Sequence, residues 1–342
     1  MSPTMLAVVV ARYGGMLELM DRPVPRPGAG EVLVRVRASG LCSTDLHLLS
    51  GRMLLGDLPR ILGHESAGEI VEVGEGVTGW NAGDRATVAV DVVCGACRHC
   101  LTGQTQRCKS MQRIGFERDG GHAEYVAVPA ANVIGLPPTL AYDAAAILPD
   151  AVACMYHSLV GQGKVGLGQK VLILGVGGLG IHGVQIARLA GADVVATSRQ
   201  PQRLKIAEQY GAMPLNTATE SLKDMVNEVT RGEGMDLVVD NIGTRASVRE
   251  ALSLLRPGGK LLVVAYLDDA FEVPSIPLFK TEQEIIGCRG SSKKDLEQVV
   301  RLTGSGKLRP VIGARYPLGR IEAAIDQLER GEHVGRIVLT RE

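Results

Sequence analysis

Four of the seven cysteines crowd into fifteen residues as Cys94-x2-Cys97-x2-Cys100-x7-Cys108. Four thiolates at that spacing, in a glycine-bearing loop, suit a tetrahedral zinc ion. With four protein sulfurs such a site has no open position, so it would tie the lobe at 94–108 together and do no chemistry. An iron–sulfur cluster is the alternative for the same ligands, but no second redox motif accompanies it. An odd cysteine count, crowded in this way in a long chain, points to metal ligation in a reducing compartment rather than to a disulfide framework.

A second run is Gly175-Val176-Gly177-Gly178-Leu179-Gly180. Alone, a GxGxxG is weak and can be a tight turn without a ligand. Here it follows the strand-like Lys170–Leu174 and opens an apolar helix pattern. In that context glycines let the backbone approach a dinucleotide pyrophosphate at a helix N-terminus. At the end of the next strand pattern, where an acidic residue would take the ribose hydroxyls of NAD, the chain reads Thr197-Ser198-Arg199. A small hydroxyl residue followed by a guanidinium favours the 2′-phosphate of NADP. The alternative is a solvated Arg199 and a site that takes NAD or both.

Three further elements are scattered: Cys42-Ser43-Thr44-Asp45-Leu46-His47, Gly63-His64-Glu65, and Pro149-Asp150 followed by Tyr156-His157. Singly, each is weak. A lone cysteine is most often a small buried apolar residue, and a lone histidine a satisfied core or surface group.

The elements that must position these residues follow from length and pattern. A chain of 342 residues exceeds what one core usually holds, so two domains are expected. The first 150 residues alternate short β-rich runs (6–10, 31–36, 67–73, 85–90, 123–128) with Gly/Pro punctuation, which reads as a mainly antiparallel β domain. From Lys170 apolar strands (171–174, 194–197, 237–240, 261–265) alternate with helix-period segments (179–189, 202–210, 247–255), the pattern of an α/β doubly wound parallel sheet. After Ser291 come a helix (295–303), a second helix (321–330) and a strand (336–340), expected to fold back onto the first domain.

Lysine plus arginine equals aspartate plus glutamate at 37 each, so no bulk field draws a nucleic acid or an anionic membrane. The longest apolar stretch, around 171–181, is glycine-laced and broken by His182, Gln185 and Arg188, too short for a span. Pro3 and the short apolar run 5–11 lack a basic lead or cleavage site, so a cytoplasmic location is expected.

Taken together and in this order, the scattered elements, the four-cysteine lobe and the GxGxxG resemble the zinc-containing medium-chain alcohol dehydrogenase family along nearly the whole chain. Gly83-Asp84-Arg85, Gly120-Gly121-His122-Ala123-Glu124-Tyr125, Arg256-Pro257-Gly258-Gly259 and Gly335-Arg336-Ile337-Val338 carry the same resemblance. It implies a GroES-like catalytic domain over 1–153 and 291–342, holding the structural zinc lobe, and a Rossmann dinucleotide-binding domain over 154–290.

The resemblance carries over residue by residue. Cys42 and His64 match the first two ligands of a catalytic zinc, and Glu65 the glutamate beside it. The third ligand is commonly a cysteine six residues before a Tyr-x-x-Leu segment; counting back from Tyr156 gives Asp150. Cys154, one helical turn on, is the alternative ligand, and Asp150 could instead cap the following helix. Asp45 matches a carboxylate that orients the ligating histidine, with His64 its expected partner. Thr44 matches the hydroxyl that bonds the substrate oxygen, and His47 the outer end of a proton relay or else an exposed loop histidine. Gly175, Gly177, Gly178, Leu179, Gly180, Ser198, Arg199 and Arg336 are the expected cofactor contacts.

An aspartate third ligand together with Ser198-Arg199 looks like the NADP-dependent secondary alcohol dehydrogenases of this family. The implied activity is hydride transfer between NADP(H) and a small, mainly apolar secondary alcohol or ketone, with two zinc ions per chain. NAD(H)-linked oxidation of primary alcohols, aldehydes or polyols is the alternative. A non-catalytic dinucleotide-binding protein is remote, because Cys42 and His64 are both present. Met53, Leu54, Leu55 and Ile114–Phe116 are candidate pocket walls or ordinary core. A homodimer or homotetramer, joined by extending the cofactor-domain sheet around 281–287, completes the expectation.

Overall fold

A computed structural model of the chain describes residues 3–15, 17–53, 56–267 and 270–341. The chain divides into two compact units, 1–153 with 291–342, and 154–290.

The first unit is built on a seven-stranded sheet. Along it run Val133–Gly135, Arg85–Val88, Glu65–Val73, Glu31–Leu41, Arg336–Thr340 and Ile312–Pro317, with Tyr125–Pro129 also pairing Glu31–Leu41. All these pairings are antiparallel except that of Ile312–Pro317 with Arg336–Thr340. Alternation in Glu31–Leu41 sends Val32, Val34 and Val36 to a core with Ile70, Val88 and Val126, so the register is set by burial. The strand Arg336–Thr340 pairs Ile337 with Leu41 and Val338 with Gly40, and so lies beside residues 38–41.

Two helices in the returning segment carry their own stop and start signals. Ser292 and Asp295 form a capping box before Lys293–Gly304. Ile321–Arg330 buries Ile321, Ala324, Ile325 and Leu328 at helical spacing and ends on Gly331 in the left-handed region.

The second unit is a six-stranded, wholly parallel sheet in the order Met213–Asn216, Asp193–Ser198, Lys170–Leu174, Met235–Asp240, Leu255–Val263, Glu284–Gly287. The order in which strands are added reverses beside Lys170–Leu174, the place where such sheets bind ligands. Val171–Leu174 are all buried, as a strand covered on both faces requires. The helix Leu222–Thr230, capped by Ser221, places Leu222 and Val226 in this core with Met225 and Val229 against it. That i, i+3, i+4, i+7 spacing is legible in the sequence, although the helix was not among the expected elements.

Candidate active site

The strand Glu31–Leu41 delivers Cys42, which is also the N-cap of the short helix Ser43–Leu49. Asp45 lies at the third position of that helix and its Oδ2 accepts the Cys42 N–H at 2.9 Å. Capping thus fixes Asp45 next to the thiol, with Thr44 Oγ1 3.5 Å from Cys42 Sγ. His47 sits half-buried on the same helix, not in an exposed loop.

Glu65 opens its strand directly opposite Gly40, with His64 the residue before it. Asp150 lies inside the π-helical turn Leu148–Val152, whose N-cap is Ile147, so Asp150 caps no helix. A π turn widens the helix locally and is frequent where a side chain must be re-aimed into a site.

These elements bring Cys42, His64 and Asp150 together with their ligand atoms all within 4.8 Å of one another; Cys154 is not part of the group. Asp150 Oδ2 is 3.6 Å from Cys42 Sγ and 3.7 Å from His64 Nε2. Donors on a tetrahedral zinc lie about 3.3–3.6 Å apart, from bonds of about 2.3 Å to sulfur and about 2.0–2.1 Å to nitrogen or oxygen. The spacing therefore fits one such ion with three protein ligands.

Electrostatics agree with that fit. Burial works against charge on His64, yet Asp150 and Cys42 hold its pKa well above the usual value. Burial likewise opposes ionisation of Asp150, but His64 and Arg336 hold its carboxyl well below the usual range. The donor set thus favours a positive charge at its centre. Around it, buried His64 Nδ1, Asp45 Oδ1 and Glu65 Oε2 have no hydrogen-bond partner among the described residues. Asp45 Oδ1 faces His64 Nδ1 at 3.7 Å, the pairing expected of a carboxylate that orients a ligating imidazole.

Arg336, expected to serve the cofactor, directs its guanidinium at two carboxylates of this site. Its Nε donates to Glu65 Oε1 at 3.0 Å and its Nη2 to Asp150 Oδ2. Ala151 N–H also donates to Glu65 Oε1, at 3.1 Å. Burial pushes Glu65 up to about 7, against the pull of Arg336. Phe116 packs its ring 5.3 Å from that of His64, whereas Ile114 belongs to the sheet core. Met53 packs with Phe116 and Leu48; Leu54 and Leu55 lie outside the described residues.

The cysteine lobe forms a separate centre. Sγ distances are 3.9 Å for Cys94–Cys100, 3.5 Å for Cys97–Cys100 and 3.6 Å for Cys94–Cys108. These are far beyond a disulfide bond of about 2.05 Å and match the edges, about 3.8 Å, of a tetrahedron of sulfurs around zinc. A backbone N–H of Cys100 lowers Cys97 to about 6, while burial and the neighbouring sulfurs push Cys100 up to about 12. All four sulfurs could be ionised together only around a cation, which the spacing leaves room to hold.

In the second unit the glycine run makes the expected turn. Gly175 has φ +84°, and a Cβ on Gly180 would lie 2.2 Å from Gly175 O, so both positions demand glycine. Thr197 Oγ1 accepts the Gly175 N–H at 3.2 Å, tying the second strand to the turn. Leu179 is the N-cap of Gly180–Leu189, and Gly178 O is 2.8 Å from His182 Nδ1. Ser198 Oγ accepts the Gln200 N–H at 3.0 Å, and Arg199 is exposed beside it.

Two residues join this site that the sequence reading passed over. Arg203 Nη1 is 3.7 Å from where a Cβ on Gly177 would stand. The side-chain amide of Asn241, which follows the strand Met235–Asp240, has both polar atoms buried and without a hydrogen-bond partner among the described residues. Its Nδ2 is 3.3 Å from the Cβ position of Gly180. The signal available for Asn241 was its place at the C-terminal end of a central parallel strand.

Three side chains spaced to hold one metal ion and, in the other unit, a glycine turn after the first parallel strand are what a metal-dependent oxidoreductase would need. Comparison with known proteins agrees. The family models for an alcohol dehydrogenase GroES-like domain and a zinc-binding dehydrogenase match residues 28–138 and 178–305. An alcohol dehydrogenase of Geobacillus stearothermophilus is 33% identical over 98% of this chain and 99% of its own. An acryloyl-coenzyme A reductase of Metallosphaera sedula is 31% identical over 98% of this chain and 100% of its own. The solved alcohol dehydrogenase of Aeropyrum pernix superposes with a TM-score of 0.92 at 33% identity, over 98% of this chain and 100% of that one.

The chain belongs to the zinc-containing alcohol dehydrogenase family of the medium-chain dehydrogenase/reductase superfamily, with a GroES-like and a Rossmann-type unit. It is a zinc-dependent, NAD(P)-binding oxidoreductase. Among the described residues no helix is long and apolar enough to cross a membrane.

Proposed function

We propose that the protein moves a hydride between NADP(H) and a small, mainly apolar secondary alcohol or ketone. The observation that carries this is the convergence of Cys42, His64 and Asp150, three donors from distant parts of the sequence, within 4.8 Å. Cys42, His64 and Asp150 would hold a zinc ion there, which would supply a Lewis acid for the substrate oxygen.

The chain's own residues supply the rest. Thr44 offers a hydroxyl beside Cys42 to bond the substrate oxygen, and His47, one helical turn on, receives its proton. Burial and the charge of Arg52 hold His47 below 6.5, so it is neutral and able to accept at pH 7. Asp45 orients His64, and Arg336 holds Glu65 and Asp150 in place. Phe116 presents an apolar ring beside His64, which favours an aliphatic or alicyclic substrate.

The cofactor reading rests on Gly175, Gly177, Gly178, Leu179 and Gly180 for the pyrophosphate. Ser198 and Arg199, at the end of the second strand, would take the 2′-phosphate, with Arg203 the nearby second cation. Cys94, Cys97, Cys100 and Cys108 would hold the second, structural zinc. A homodimer or homotetramer would use Glu284–Gly287, the edge strand of the second unit's sheet, which follows the exposed Ile276 and Phe279 in sequence. We place the protein in the cytoplasm.

The test is turnover of a panel of small ketones and aldehydes with NADPH and with NADH, before and after chelation of the accessible metal. Reduction of ketones with NADPH, abolished by chelation, is the expected result. Activity that survives verified metal removal would overturn the mechanism, and preference for NADH would overturn the assignment of Ser198 and Arg199.

A further inference from the structure

Behind Asp45, on the side away from the metal donors, a line of buried polar groups runs back to the C-terminal strand. Asp45, Ser39 and His122 are fully buried. His122 Nε2 faces Asp45 Oδ2 at 3.6 Å, and His122 Nδ1 is 2.9 Å from Ser39 Oγ. Arg341 donates Nη1 to Ser39 Oγ at 3.1 Å and Nη2 to Gly121 O at 2.8 Å. The line therefore reads Arg341, Ser39, His122, Asp45, His64.

Its polarity follows from which groups can only donate. Arginine has no acceptor, so Ser39 Oγ accepts from Arg341 and keeps its own hydrogen to give. The facing Nδ1 of His122 is the acceptor in reach, which leaves the imidazole hydrogen on Nε2, aimed at Asp45. The opposite tautomer would point an Nε2 lone pair at a buried carboxylate and leave the Ser39 hydrogen without that acceptor. Both consequences are costly where water is excluded.

The backbone is shaped to admit this imidazole. His122 N–H bonds Leu62 O at 2.9 Å, and Val8 N–H bonds His122 O at 2.8 Å. A Cβ on Gly63 would lie 2.5 Å from His122 N and 2.6 Å from Nδ1, and Gly63 has φ +98°. Glycine immediately before the ligand His64 is thus required by His122.

We propose that His122 is a positioning residue of the metal centre, holding one oxygen of Asp45 so that the other faces Nδ1 of the ligand His64. One carboxylate then sits between two imidazoles, facing them at 3.6 and 3.7 Å, and the Cys42 N–H, at 2.9 Å, is its hydrogen-bonded anchor. His122 touches neither substrate nor metal; it acts through Asp45. The proposal rests on the reading of Cys42, His64 and Asp150 as a metal site.

The test uses the full chain loaded with zinc and follows metal release to a colorimetric chelator. The variants are His122→Phe, His122→Gln and Ser39→Ala, and retention of the four-cysteine zinc is the internal control for folding. His122→Phe is expected to release the accessible zinc several-fold and up to about ten-fold faster, the low end of the effect of removing an outer partner of a metal ligand, because His122 acts one step further out through Asp45. His122→Gln, whose amide N–H can stand where Nε2–H stood, is expected to release it near the parent rate, and Ser39→Ala in between.

Release from His122→Phe at the parent rate, or equal acceleration in His122→Phe and His122→Gln, overturns the proposal. Should His122→Phe fail to retain the four-cysteine zinc, Ser39→Ala decides: the parent rate there is equally fatal. A parent chain that takes up no metal beyond the four-cysteine site would defeat the metal-site reading itself, an outcome distinct from these.

Discussion

Gly40 and Glu65 stand opposite one another in the antiparallel pairing of their strands, and the carboxylate occupies the space a side chain on Gly40 would need. A Cβ there would lie 1.8 Å from Glu65 Oε2. Gly40 also pairs with Val338 on the strand that carries Arg336. One missing side chain thus lets three strands bring Cys42, Glu65 and Arg336 to the same place.

Gly40→Ala is therefore expected to push Glu65 off Arg336 and the Ala151 N–H. Leaving those buried groups unpaired costs about 1–3 kcal/mol of stability, and kcat/KM falls about ten-fold or more through the disturbed site. Thermal unfolding and steady-state kinetics measure both. In a Glu65→Ala background the same substitution should cost less, since only the Cβ at 65, 3.0 Å away, is left to crowd it; an equal cost in the two backgrounds would show that Gly40 does not act through the Glu65 carboxylate.

Asp150→Asn removes one anion from the donor set while keeping its shape. Metal analysis should find the accessible zinc lost and the four-cysteine zinc retained, with activity lost in proportion. Asp150→Cys, which supplies another zinc ligand, should keep metal. Full zinc retention by Asp150→Asn would transfer the third-ligand role to another residue.

At the cofactor turn, Arg199→Ala should raise KM for NADPH about ten-fold and leave KM for NADH nearly unchanged, since a charged hydrogen bond to phosphate is worth about 1.5–3 kcal/mol. Arg203→Ala, beside Gly177, should raise KM for both cofactors, and Asn241→Leu likewise. An unchanged NADPH-to-NADH ratio in Arg199→Ala would remove the basis for an NADP preference.

The pH dependence has a definite sign. Burial first, and then Arg52, hold His47 below its ordinary 6.5. Between that lowered value and 6.5 the unfolded chain binds the proton more readily, so this group makes stability rise with pH across the window; the advantage is lost as pH falls through the lowered value. The same ionisation places the acid limb of kcat below pH 6.5 if His47 takes the substrate proton. Arg52→Gln should move that limb upward and His47→Gln should flatten it; a profile that neither substitution alters would exclude the relay.

Most of the scaffold was legible in the sequence. The helix Ile321–Arg330 and the strand Arg336–Thr340 coincide with the expected segments, and the central strands agree to within a few residues. The strands Glu18–Pro23, Ile312–Pro317 and Met213–Asn216 were not anticipated, because their half-exposed sequences carry no apolar alternation strong enough to stand out. A glycine interrupting the β-rich run that ends at Leu41 was a signal for close approach that could have singled out Gly40.

The four-cysteine lobe and the glycine turn were determined by sequence alone, because each is contiguous: ligands or backbone amides a few residues apart can converge only locally. Cys42, His64 and Asp150 were legible as residue types, but their convergence depends on a strand end, a glycine turn and a π-helical turn meeting in space. Arg336 reaches Glu65 across 271 residues of sequence, and Ser39 reaches His122 across 83. No local pattern encodes such a contact. Strand register brings Arg336 and Glu65 together, and exclusion of water then makes the pairing of each charge compulsory.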